Sequence, residues 1–267
     1  MADTPIVYTK EKLIEKLIEI SNQGWIPNAR HGNAGGIGNT LEDLLGIKEN
    51  NLPIANAAEW ELKTQRINTC SLTTLFHIEP SPRAIGFVPN IGLLKFGWAH
   101  KKAGKDGYSV NEMSFRQTIG LTGSDRGFRV VIDREAKKVL ISFNALNVDS
   151  RHASWLASVE KRIGLAELNP QPYWGFEDLA NKAGTKLLNT FYVQADVKKE
   201  GKKEFYKYSK ITMLQGFNFD GFLQALEEGY ALVDFDARTG HNHGTKFRLR
   251  QDEKALLMLY RKVTRIL

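Results

Sequence analysis

Apolar residues recur at Leu13, Ile14, Leu17 and Ile18, the three-to-four spacing of an amphipathic helix, with Thr9 placed to cap its start and Gly24 beyond its end. Gly24 to Pro27 reads as the exit turn. Asn39–Gly46, NTLEDLLG, predicts a second helix opened by Thr40 as N-cap, which would set Glu42 in its first turn. From Trp60 the period changes to two: Trp60, Leu62 and Thr64 fall on one strand face, Glu61 and Lys63 on the other. Ser71–Phe76 predicts another strand, leading through His77 into a Pro-rich turn. Residues 84–110 read as loop, basic and aromatic. Phe128–Asp133 and Lys138–Phe143 predict a hairpin. Ala153–Ile163 and Phe176–Leu188 read as helices, the second with Leu179, Ala183 and Leu187 on one face. A longer hairpin joins Phe191–Val197 to Phe205–Ile211 through the charged tip Lys198 to Lys203. Asp220 caps a helix through Glu228, stopped by Gly229. Strands are expected at Leu232–Arg238 and Lys246–Leu249, and a helix from Asp252 to Ile266. Strands and helices interleave, so the chain is α/β. Asn169-Pro170-Gln171-Pro172 is the best candidate linker, dividing residues 1–168 from 169–267.

Composition narrows this little. With 42% hydrophobic and 25% charged residues in 267, the chain is an ordinary globular protein of one large domain or two lobes. A net charge of +7 favours a polyanionic partner. The single cysteine, Cys70, excludes an internal disulfide and a Cys-rich zinc site, suits a reducing cytoplasm, and reads as core filling. No apolar run approaches the ~18 residues of a membrane span, and the N-terminus is acidic rather than signal-like, so a soluble cytoplasmic protein with no membrane partner is expected.

Candidate chemistry lies in two places. Glu61 and Lys63 are two apart on one strand face, so a carboxylate able to hold Mg²⁺ and an ammonium able to orient a water meet the same ligand. The bland reading of a bare ExK is a solvated ion pair. Upstream, residues 32–38 carry four glycines before the helix; the segment lacks the lysine and preceding strand of a P-loop. The second cluster is Asp236-x-Arg238-x-x-His241-x-His243-x-x-x-x-Arg248. Arginine donates twice to guanine O6 and N7, and aspartate accepts from cytosine N4. His-x-His with Asp236 is also a metal-ligand pattern, and plain loop histidines are a third reading.

The order of a Gly-rich turn, a helix with an early Glu, a Pro turn with a polar residue and then ExK resembles the PD-(D/E)xK nucleases. GNAGGIGNTLEDLLG followed by EWELKT, and later HNHGTKFR, resemble the MvaI/BcnI restriction endonucleases and their mismatch-repair relative MutH. The resemblance implies a mixed β-sheet core flanked by helices, in two lobes forming a DNA-binding cleft: a catalytic lobe over about 1–168 and a recognition lobe over about 169–267. It implies a monomeric, Mg²⁺-dependent type II endonuclease acting on double-stranded DNA at CC-N-GG sites, nicking each strand in turn, with a cognate methyltransferase as its functional partner. It places the metal on Glu61 and on position 56, with Lys63 at the attacking water and scissile phosphate and Glu42 supporting Lys63. Base contacts are implied for Asp236, Arg238, His241, His243 and Arg248, with Lys246 beside them; His77, Arg30 and His31 are further DNA contacts.

One ligand departs from the pattern. The family has Asp where this chain has Asn56, five residues before Glu61, so a neutral carbonyl replaces a charge and both metal affinity and turnover are expected to fall. Two other readings follow: a MutH-like strand-specific nickase activated by a partner, and a binding-only protein in which Asn56 has abolished cutting.

Overall fold

The computed structural model describes residues 8–30, 35–47, 59–67 and 69–267. The chain divides into two compact units that interleave along the sequence. The first comprises Met1–Thr73, Lys182–Gly221 and Arg250–Leu267; the second, Thr74–Asn181 and Phe222–Leu249. Asn169–Pro172 therefore lies inside the second unit rather than between units. The strand that follows it, Tyr173–Gly175, pairs with Lys138–Leu140 of the hairpin.

The first unit is a five-stranded sheet in the order Ile26–Pro27, Lys203–Phe217, Asn189–Glu200, Glu61–Arg66, with Tyr260–Arg265 also paired to Lys203–Phe217. The helix Lys10–Asn22 forms as expected: Thr9 Oγ1 accepts from the Lys12 N–H, and Leu13, Leu17 and Ile20 are buried on one side. With the helix Gly36–Leu44 they cover the sheet face bearing Leu62, Phe191, Val193, Tyr206 and Tyr208.

This second helix starts earlier than expected. Its N-cap is Gly35, and Thr40 is buried mid-helix, its Oγ1 accepting from the Ala29 N–H at 3.4 Å. Glu42 accordingly sits in the last turn. The early start needs a residue without a side chain at Gly36, where a Cβ would lie 2.6 Å from Tyr206 Oη and 2.7 Å from Asn28 Nδ2. The predicted C-terminal helix is also shorter: it spans Glu253–Leu259, capped by Asp252, and the chain then pairs as a strand with Thr212–Phe217. The unsatisfied N–H and C=O groups along that strand outweigh the local helical spacing of the tail.

In the second unit a six-stranded sheet runs in the order Thr73–His77, Lys246–Leu249, Ala231–Arg238, Met113–Ile119, Trp98–Ala99, with His241–Asn242 also on Ala231–Arg238. A three-stranded sheet contains Arg126–Asp133, Lys138–Val148 and Tyr173–Gly175. Residues 84–110 carry more regular structure than a loop reading allows: a π-helical segment Phe87–Leu93 and a helical turn Leu94–Phe96 bury Phe87, Val88, Ile91, Leu93 and Phe96. Their partners are Phe115, Phe128, Phe143 and Phe235. Cys70 is exposed and packs in no core.

Candidate functional site

The ExK strand is Glu61–Arg66, and its alternation is the one the sequence predicts: Trp60 and Leu62 enter the core while Glu61 and Lys63 share the opposite face. Parallel pairing with Asn189–Glu200 sets Glu61 beside Thr190 and Lys63 beside Tyr192. Glu61 is 1% exposed. Lys63 Nζ lies 2.7 Å from its Oε1, and Lys186 Nζ lies 3.4 Å from its Oε2. Lys186, in the last turn of the helix Phe176–Leu187, escaped the sequence reading because nothing local ties it to Glu61.

A buried carboxylate persists as an anion only when paired. The two ammonium groups supply that charge, yet among the described residues the buried Oε2 has no hydrogen-bond partner. An anionic oxygen with unspent lone pairs fits a divalent cation. Tyr260 completes the surroundings: its hydroxyl shares a 2.9 Å hydrogen bond with Thr190 Oγ1, and burial raises its pKa well above the ordinary tyrosine value. The same sheet face continues through Tyr192, Thr212 and Arg265, and through Gln194 and Lys210. These line a cavity of about 290 Å³.

Among the other expected site residues of this unit, Asn56 and His31 lie outside the described residues. Among those described, no group of three or more His, Cys, Asp or Glu side chains is arranged to hold a metal ion. Glu42 is half-buried near its helix end. Arg30 pairs with Asp43 through Nη2 and Nε, at 2.7 and 3.2 Å.

The second cluster assembles on one face of the six-stranded sheet. Val233, Phe235 and Ala237 of Ala231–Arg238 are buried in the aromatic core, so Asp234, Asp236 and Arg238 project the other way. Register sets Asp236 opposite Arg116 and Asp234 opposite both Thr118 and Lys246. Lys246 Nζ reaches Asp236 Oδ2 at 3.1 Å, Arg248 Nη1 reaches Asp234 Oδ2 at 3.0 Å, and Arg238 Nη1 reaches Glu112 Oε1 at 3.0 Å. The Tyr108 ring, stacked on His100, lies under the Arg238 guanidinium at 5.3 Å.

The His241 and His243 rings meet edge to face at 4.2 Å, and both residues are exposed. Partial loss of solvation lowers the His243 pKa, and His241, Lys246 and Arg116 add to the effect against Asp236. For Asp236, burial raises the pKa, but hydrogen bonds and charge from Lys246 and Arg116 outweigh it and hold the carboxyl below its ordinary value. His77 is exposed at the end of its strand, with its Nδ1 3.7 Å from where a Cβ on Gly244 would stand. It therefore joins the histidine loop. Arg116, Asp234 and Glu112 were missed in the sequence. The alternation of Phe115 and Ile119 around Arg116 was the available signal.

The model of the MvaI/BcnI restriction endonuclease family matches residues 14–260. No curated protein sequence matches the chain. Among solved structures, a complex of restriction endonuclease MvaI with cognate DNA substrate is similar in fold, with a TM-score of 0.75 and 24% identity, covering 97% of this chain and 100% of that one. MvaI in the absence of DNA is 22% identical over 98% and 100% of the two chains, with a TM-score of 0.49.

Proposed function

The chain belongs to the MvaI/BcnI restriction endonuclease family, and on that premise we propose that its site is a short duplex of the CC-N-GG type, cut with Mg²⁺ by a monomer that nicks the two strands in turn. The observation that carries the reading is Glu61: a buried carboxylate on one strand face with Lys63, bracketed by two ammonium groups, with one oxygen unspent. Glu61 and position 56 would hold the cation. When bound, the cation lowers the pKa of a water and neutralises nonbridging phosphate oxygens.

The protein's own groups do the rest. Lys63 presents up to three N–H donors beside Glu61, where they fix an attacking water and the scissile phosphate. Lys186 adds a second fixed positive charge on the same carboxylate, and Glu42 supports Lys63. In the second unit, Arg238, Arg248, Lys246, Asp236, His241, His243 and His77 form the base-reading surface, with arginine donors matched to guanine. Arg30 and His31 grip the backbone. A cognate methyltransferase would protect the same site in the host.

Titration of the chain against a CC-N-GG duplex and a scrambled duplex tests this. Tighter binding to the first is expected, with log affinity falling against log salt by roughly 0.9 per phosphate neutralised. Equal affinity for both duplexes overturns the site assignment, and a flat salt response overturns DNA as the partner. A nickase dependent on a mismatch-repair partner would cut only when that partner is added.

A further inference from the structure

Three arginines on or beside the polar face of the six-stranded sheet are each backed by an acid: Arg248 by Asp234, Arg238 by Glu112 and Arg116 by Asp236. Arg238 and Arg248 belong to the cluster the sequence already singles out. Arg116 stands on the neighbouring strand, in register with Asp236, and is the most exposed of the three, its side chain 52% accessible against 34% and 28%. Its contact is also different in kind. Arg116 Nε approaches Asp236 Oδ1 at 2.6 Å, whereas the other two use Nη1. That contact is an ion pair rather than an aligned hydrogen bond, since Asp236 Oδ1 has no hydrogen-bond partner among the described residues.

We propose that Arg116 is a base-reading residue, its guanidinium kept on this face by the ion pair with Asp236 so that its two terminal nitrogens meet O6 and N7 of a guanine in the target.

A carboxylate beside an arginine weakens its attraction for a phosphate, since the pair is nearly neutral at a distance. It weakens a bidentate hydrogen bond to a neutral base edge less, because that bond depends also on the plane and direction of the fork. Backing by an acid therefore suits an arginine that must distinguish a base edge. Asp236 serves as the positioning residue for this contact. Its Oδ2 accepts a hydrogen bond from Lys246, which anchors the carboxylate beside Arg116. The inference rests on the reading above, that the protein binds a duplex site containing G·C pairs.

The test is equilibrium binding, by fluorescence anisotropy with Ca²⁺ present, to a CC-N-GG duplex, a random duplex and duplexes with each G·C pair replaced in turn. For R116A the expected result is a loss of about 10- to 100-fold on the intact site, unchanged affinity for random DNA, and loss of discrimination at one G·C pair only. R116K keeps the charge and stem and should lose the same discrimination, because an ammonium cannot donate as a planar fork. If the unaltered chain shows no preference among these duplexes, the proposed site fails and this assignment with it. If the unaltered chain discriminates and R116A discriminates equally at every pair, the Arg116 assignment alone is overturned. Equal losses on intact and random duplexes, with a shallower salt slope, would make Arg116 a phosphate contact and also overturn it.

Discussion

Replacing Lys186 with Met removes one of the two charges on Glu61 while keeping most of the aliphatic stem. With Lys63 at 2.7 Å and Lys186 at 3.4 Å, the gross Coulomb terms are ~6 and ~5 kcal/mol at an effective dielectric near 20. The two lysines thus contribute comparably, and desolvation offsets much of each. Stripping a buried charge of its partner costs roughly 3–5 kcal/mol. Because Lys63 remains, the expected loss for Lys186→Met is lower, about 1–3 kcal/mol in metal-free buffer. A divalent cation replaces the missing charge and meets one less repelling neighbour, so it should bind this variant more tightly and recover stability as RT ln(1 + [L]/Kd). Urea unfolding with EDTA and with excess Ca²⁺ measures both effects. A variant as stable as its parent without metal would refute the pairing. A loss that stays the same in saturating Ca²⁺ would refute the link between Lys186 and the cation site.

Three further outcomes are expected. Gly36→Ala places a methyl 2.6 Å from the hydroxyl of the fully buried Tyr206, so it should destabilise by ~1–3 kcal/mol in chemical denaturation; a neutral result would show that the helix start can shift. The His243 imidazole should titrate below 6.5 in the free protein by NMR. A lowered folded-state pKa means the unfolded chain binds the extra proton first. His243 thus contributes stability that is present above pH 6.5 and lost as pH falls through the folded value, and His243→Gln should flatten that slope. Asp236 likewise has a lowered pKa, so its contribution is present above its unfolded value near 3.8 and disappears as pH falls through the folded one; a D236N variant with an unchanged acid limb would contradict this.

Much of this arrangement is legible in the sequence because strand alternation is local. Trp60 and Leu62 against Glu61 and Lys63, and Asp236 and Arg238 against Phe235 and Ala237, could be assigned to faces from spacing alone. What could not be read is pairing between distant segments. Lys186 reaches Glu61 only because the helix Phe176–Leu187 leads into a strand parallel to the ExK strand, and Arg116 reaches Asp236 only through an antiparallel register. The helix misjudgments have a related cause. Thr40 is a good cap by residue type, yet the tight approach of Tyr206 and Asn28 selects a glycine start, with the cap five residues earlier at Gly35. Leu256, Leu259 and Tyr260 space like a helix, but the polar backbone edge of Thr212–Phe217 draws the last of them into a strand.

The central claim is that Glu61 and Lys63 form a cation-dependent phosphodiester site in which Asn56 stands where the family's second metal carboxylate would be. Digestion of a mapped plasmid in Mg²⁺ by the unaltered chain, by Asn56→Asp and by Asn56→Asp/Glu61→Ala tests it most directly. Restoring a carboxylate adds the charge that an amide lacks, and cutting at CC-N-GG sites should rise at least ~10²-fold. Removing Glu61 should abolish it again, while the three proteins bind the site with similar affinity. Rapid cutting by the unaltered chain, with no gain from Asn56→Asp, would contradict the account.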